Sequence, residues 1–145
     1  MDEDEAPALI ALDPDEHHAR YVGRAPDGRQ FFLSTPFVPG QNDYLALYVF
    51  DEDGALLQAT VEDLGPRHSL EECELAKRQA KLLATLGEVA TEGIEVAPFS
   101  IERSGVRFGF ILHEPEEEGD DYSVTVEPGS YMCFWPPWDS GEYDT

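Results

Sequence analysis

The chain has 145 residues and 16.2 kDa, and sets 9 Lys plus Arg against 31 Asp plus Glu for a formal net charge of −22. A folded chain of this mass exposes roughly 7,500 Å², or about 340 Å² per net negative charge, which excludes direct binding to DNA, RNA or an anionic membrane, since those surfaces demand a basic patch. With 41% apolar residues, 8 Phe, 6 Tyr and 2 Trp there is material for a core, so wholesale disorder is excluded and the length predicts one domain. Two cysteines make no disulfide framework, and acids at positions 2–5 stand where a secretory signal needs positive charge. A soluble protein of the reducing cytoplasm follows. No apolar run approaches the roughly 20 residues that span a bilayer.

Residues 1–19 hold seven acids, with a short apolar stretch at 8–12, and read as a leader that lies outside the core. Organised pattern begins at Tyr21. Pro26, Asp27 and Gly28 separate two aromatic segments and predict a hairpin, in which Pro presets φ, Asp bonds locally and Gly takes positive φ. Residues 44–50 are apolar on both alternating faces and predict a central strand. Asp53 and Gly54 then turn the chain into 56–62, a half-exposed antiparallel partner in which Leu57, Ala59 and Val61 alternate with polar residues.

Gly65 and Pro66 end this meander. A helix is predicted over 69–86, with Ser69 as N-cap, Glu72 completing a capping box and Gly87 as the stop. Leu75, Ala76, Leu82, Leu83 and Leu86 recur at helical spacing as one buried stripe. Such a helix spans about 26 Å, enough to cross five strands at about 4.8 Å each. Two strands follow around Ser104 and Gly105; Pro98 marks the first as an edge, a bulge or two shorter strands. Residues 114–121 contain six acids in eight positions, a solvated loop. Residues 122–127 alternate cleanly, Pro128 and Gly129 turn, and 131–135 supply a last short strand before an aromatic C-terminal segment at 135–145. The organisation is thus an acidic leader, 1–19, and a single domain, 20–145.

The hairpins at Tyr21 to Phe32 and at Phe50 to Gly54, the Asp63-Leu-Gly and Phe108-Gly pairs, and above all the ending Pro137-Trp138-Asp139-Ser-Gly-Glu-Tyr143-Asp144-Thr145 resemble a set of small acidic bacterial proteins. These carry the label of formate hydrogenlyase regulatory protein, after a regulator of a hydrogen-producing enzyme system. The resemblance covers residues 20–145. It implies a fold and a regulatory role, and it transfers no catalytic residues.

Among candidate chemistries, His17, His18, His68, His113, Cys73 and Cys133 show no metal-ligand spacing, so no metal site is expected. Asp51 to Gly54 reads as a tight turn, since it lacks the ligand series and closing Glu of a calcium loop. Ser34, Ser100 and Ser104 sit in strands or a turn without a nucleophile elbow, and Cys133 reads as a packed strand thiol. No catalytic residue and no cofactor are expected; with 31 acids, proximity of some carboxylate pair carries no information.

What remains is the charge and the C-terminus. Trp135, Trp138 and Tyr143 beside Asp139, Glu142 and Asp144 suit a protein interface with an acidic rim; the alternative is that both Trp side chains fold back over an open sheet face. The fold expected is α+β: six to eight mostly antiparallel strands in a bent sheet, with the one helix packed across it. The function expected is a non-enzymatic acidic cytoplasmic protein that binds a basic protein partner, in a regulatory or toxin-neutralising, immunity-like role. The alternatives are a nucleic-acid charge mimic that inhibits a basic DNA- or RNA-binding protein, and a small enzyme with a carboxylate pocket.

Overall fold

The computed structural model describes residues 6–16, 19–103, 105–117, 119–129 and 132–144. Positions 1–5, His17, His18, Ser104, Glu118, Ser130, Tyr131 and Thr145 lie outside the described residues. In chain order the elements are β1 (Ile10–Leu12), β2 (Tyr21–Arg24), β3 (Gln30–Ser34), β4 (Asn42–Phe50), β5 (Leu56–Pro66) and α1 (Glu72–Ala84), then β6 (Ala90–Thr91), β7 (Ile94–Val96), β8 (Phe99–Arg103), β9 (Val106–His113), β10 (Ser123–Glu127) and β11 (Cys133–Phe134).

The mixed α+β class with antiparallel pairing is as expected, but among the described residues eleven strands form three sheets where six to eight strands in one bent sheet were predicted. The orders are β5-β4-β3-β2-β6, β11-β10-β9-β8 and β1-β7. The cause lies in β4, where every residue from Tyr44 to Phe50 is buried. A strand apolar on both faces needs a layer on each side. Phe32, Tyr44, Ala46, Tyr48 and Phe50 point one way, against Phe108, Phe110, Val124, Val126 and Phe134 of the four-stranded sheet. Edge-to-face contacts knit the two, Tyr44 to Phe108 at 5.2 Å and Phe32 to Phe110 at 5.7 Å between ring centroids. Phe31, Leu33, Leu45, Leu47 and Val49 point the other way, toward Leu82 and Leu86 at the end of the helix. The helix therefore covers one face of the five-stranded sheet and the second sheet covers the other.

The two Asp-Gly hairpins form as read. Asp27 accepts the Arg29 backbone N–H, Asp51 accepts those of Asp53 and Ala55, and Gly28 and Gly54 take φ of 93° and 95°. Pro98 separates β7 from β8, which belong to different sheets.

Two expectations are corrected. The helix has 13 residues, or about 20 Å, and starts at Glu72, three residues later than Ser69. Ser69 is still in the preceding turn, where its N–H and its hydroxyl both donate to the Pro66 carbonyl and His68 takes a φ of 62°; Glu71 holds the N-cap position with no side-chain bond. The leader is not outside the core either. Ile10, Leu12 and Ala19 are fully buried, because β1 pairs with β7 through Ile10–Val96 and Leu12–Ile94.

Two buried polar side chains differ in what they contribute. Gln30, 1% exposed, donates to the carbonyls of Asp51 and Glu95 at 3.0 and 2.9 Å and accepts the Glu95 N–H at 2.8 Å, which ties β7 to the β3–β4 hairpin. The Tyr48 hydroxyl, in the core between the sheets, has no hydrogen-bond partner among the described residues, and burial pushes its pKa up from 10.0. Replacing Gln30 by Leu strands three backbone groups and should lower stability by about 3 kcal/mol, whereas Tyr48→Phe removes an unpaired hydroxyl and should be neutral or stabilising by about 1 kcal/mol. The phenol is protonated in both states below pH 10, and above it the unfolded chain deprotonates first. Wild-type stability should therefore fall with rising alkalinity more steeply than that of Tyr48→Phe in denaturant melts.

Candidate functional site

The C-terminal segment is stitched to the beginning of the chain. The Ala11 N–H donates to the Trp138 carbonyl at 2.9 Å and the Asp13 N–H to the Gly141 carbonyl at 3.0 Å. Cys133 and Asp144 exchange backbone hydrogen bonds at 2.8 Å each, which lays residue 144 along the free edge of β11. The Tyr143 hydroxyl donates to Asp15, whose other carboxylate oxygen accepts the Ala19 N–H at 3.2 Å. Gly141 sits where the two segments touch. Its φ is 80°, and a Cβ there would collide with the Asp13 carboxylate, so this approach requires glycine.

Between the segments lies an open cleft of about 1150 Å³. Its charged wall is Asp13 and Asp15 from the N-terminal side and Glu142 and Asp144 from the C-terminal side; Trp135, Pro136 and Pro137 supply the apolar wall. Among the described residues no Lys, Arg or His lines it. Trp135 is 46% exposed. The register Val124–Phe134 places it beside the Ser123 end of β10, where the acidic loop 114–121 joins the sheet, and the described residues of that loop are all exposed.

Of the six residues proposed from the sequence, Trp135, Glu142, Tyr143 and Asp144 line the cleft. Asp139 is exposed but not part of the lining, and Trp138 turns inward to pack against the core between the sheets, its indole N–H buried without a partner among the described residues. The two Trp side chains thus divide between the two readings. Sequence reasoning missed Asp13, Pro14 and Asp15. The three apolar residues Ile10–Leu12 just before them form the strand that carries the acids onto the domain, but a run that short gives no periodic signal in the sequence.

The other chemical candidates stay apart. His68 lies in the turn before α1, and its N–H donates to Asp43 at 2.9 Å. His113 is hydrogen-bonded to Thr125 at 2.7 Å. Both cysteines are free thiols, Cys73 exposed on the helix and Cys133 half-buried at the cleft. Among the described residues no three His, Cys, Asp or Glu side chains converge on one point, and no helix is long and apolar enough to cross a membrane. Set against protein-family models, curated proteins and solved structures, the chain matches none.

Burial, then the Asp144 carboxylate beside it, pushes the Cys133 thiol up from its ordinary value, which suppresses the reactive thiolate. In timed alkylation with iodoacetamide at pH 8, read by peptide mass spectrometry, Cys73 should be modified about tenfold faster than Cys133. Equal rates would contradict this account of the cleft.

Proposed function

We propose that this chain is a non-enzymatic protein-binding domain whose cleft receives a cationic segment of a basic partner protein, in a regulatory or toxin-neutralising role. The supporting observation is the gathering of acids from both ends of the chain around one open cleft with no Lys, Arg or His among the described residues that line it, next to a half-exposed Trp135. A partner Arg or Lys placed there meets carboxylates on one side and an indole face on the other. Contacts of this cation–π kind contribute about 0.5–2 kcal/mol, and a Trp at the centre of an interface carries a disproportionate share of affinity. The acidic loop adds long-range attraction, which speeds encounter more than it tightens the complex. The resemblance to small acidic proteins that carry a regulatory label points the same way, and two free thiols suit a reducing compartment.

A fluorescein-labelled deca-arginine peptide is a minimal probe, followed by anisotropy. Affinity should fall steeply between 50 and 500 mM salt, and Trp135→Ala should weaken binding about tenfold. Glu142→Gln with Asp144→Asn should weaken it more than the equal charge change at Glu74 and Glu88, which lie outside the cleft lining. If the remote pair has the same effect, or Trp135→Ala has none, the net charge alone holds the peptide and the cleft has no part in it.

A further inference from the structure

The apolar stripe expected along the helix divides into two parts. Leu82 and Leu86 pack on the sheet, but Glu72, Leu75, Ala76 and Gln79, which share one face of the first two turns, stand over a cavity of about 680 Å³. The far wall is formed by the ends of β3 and β4 and the turn before α1, with Leu64, Leu70 and Met132 among its apolar groups. This volume is that of an ordinary small-molecule site.

Two of the chain's nine cations line it. Arg67 is held in place, its guanidinium 3.7 Å from the centre of the Phe37 ring and its Nε 3.2 Å from Asp43. Asp43 is fully engaged, because its second oxygen accepts the His68 N–H. Arg20 is exposed and the Arg67 side chain is 30% exposed, so the Arg20 guanidinium and the terminal amino groups of Arg67, which have no protein partner among the described residues, are open to solvent and to a ligand. Ser34, only 6% exposed, also lines the cavity, and its hydroxyl makes no hydrogen bond among the described residues. Ser34 Oγ is not among the buried polar atoms left without a partner, so it opens onto the cavity and is available to a ligand. It lies with two guanidinium groups and the apolar wall of Leu64, Leu70 and Leu75, and of the two acids that also line the cavity Asp43 is paired with Arg67 and Glu72 is exposed at the start of the helix.

We propose that this cavity binds an amphipathic organic carboxylate. Arg20, Arg67 and Ser34 would take the charged head by charge-assisted hydrogen bonds, and Leu64, Leu70, Leu75 and Met132 would cover the apolar body. The proposal is independent of the cleft at the chain termini, since no described residue lines both.

Octanoate is a suitable probe, with acetate as the head alone and 1-octanol as the tail alone, followed by amide chemical-shift titration of the ¹⁵N-labelled protein. Octanoate should give saturable shifts at Ser34, Arg67 and Leu75 and bind at least tenfold more tightly than either fragment. Arg20→Gln breaks no ion pair in the described structure, so it should leave the melting temperature unchanged while weakening octanoate about tenfold. Octanol binding as well as octanoate, Arg20→Gln without effect, or shifts confined to residues of the other cleft would each overturn the assignment, as would the absence of saturable shifts.

Discussion

The structure depends on one strand that cannot be satisfied from one side. Residues 44–50 are buried on both faces, and fully burying a single large apolar side chain stabilises by about 1.5–3 kcal/mol. Leaving either face wet would forfeit several such contributions. The sequence supplies one cover in the aromatic second sheet and another in the leucines of the helix, so the layer order of second sheet, first sheet and helix follows from the double-sided apolar character of β4. Its neighbour β3 is likewise buried at every residue and shares both covers, whereas β5 has the pattern of an edge, with Leu57 56% exposed.

This layering brings the ends of the chain together. The two-stranded sheet β1-β7 is fastened to the first sheet by Gln30 and by the Ala97 N–H bond to the Gly54 carbonyl at 2.9 Å. The C-terminal segment after β11 then closes on β1 through backbone bonds. Acids that look dispersed when read along the chain, at 13 and 15 and again at 142 and 144, become one electrostatic feature. Mutual repulsion would part them unless something opposed it, and the backbone bonds of residues 11, 13 and 144 together with the Tyr143–Asp15 contact supply that opposition.

Local chemistry was legible in the sequence; pairing at a distance was not. The Asp-Gly hairpins, the two-faced strand and the helix at Leu75 to Leu83 carry their causes within a few residues. The role of Ile10 does not, because its partner Val96 lies far along the chain, and a strand of three residues is too short to announce itself by alternation. The Ser69 misreading has another source. A capping box needs a backbone that turns helical right after the hydroxyl residue, and here the turn closed by the Ser69 N–H on the Pro66 carbonyl delays the helix to Glu72. For the site, the aromatic-acidic C-terminus was visible as a composition, yet which Trp faces water depended on the clasp at Ala11 and Gly141.

Native-state hydrogen exchange across the whole chain tests the central claim most directly. If β4 organises the molecule, the hydrogen-bonded amides of residues 45–49 exchange only through global unfolding and share its free energy. The amides of α1, whose one fully packed residue within the helix is Leu82, then exchange earlier by local opening. Exchange of β4 ahead of α1, or at a free energy well below the global value, would contradict a fold built outward from that strand.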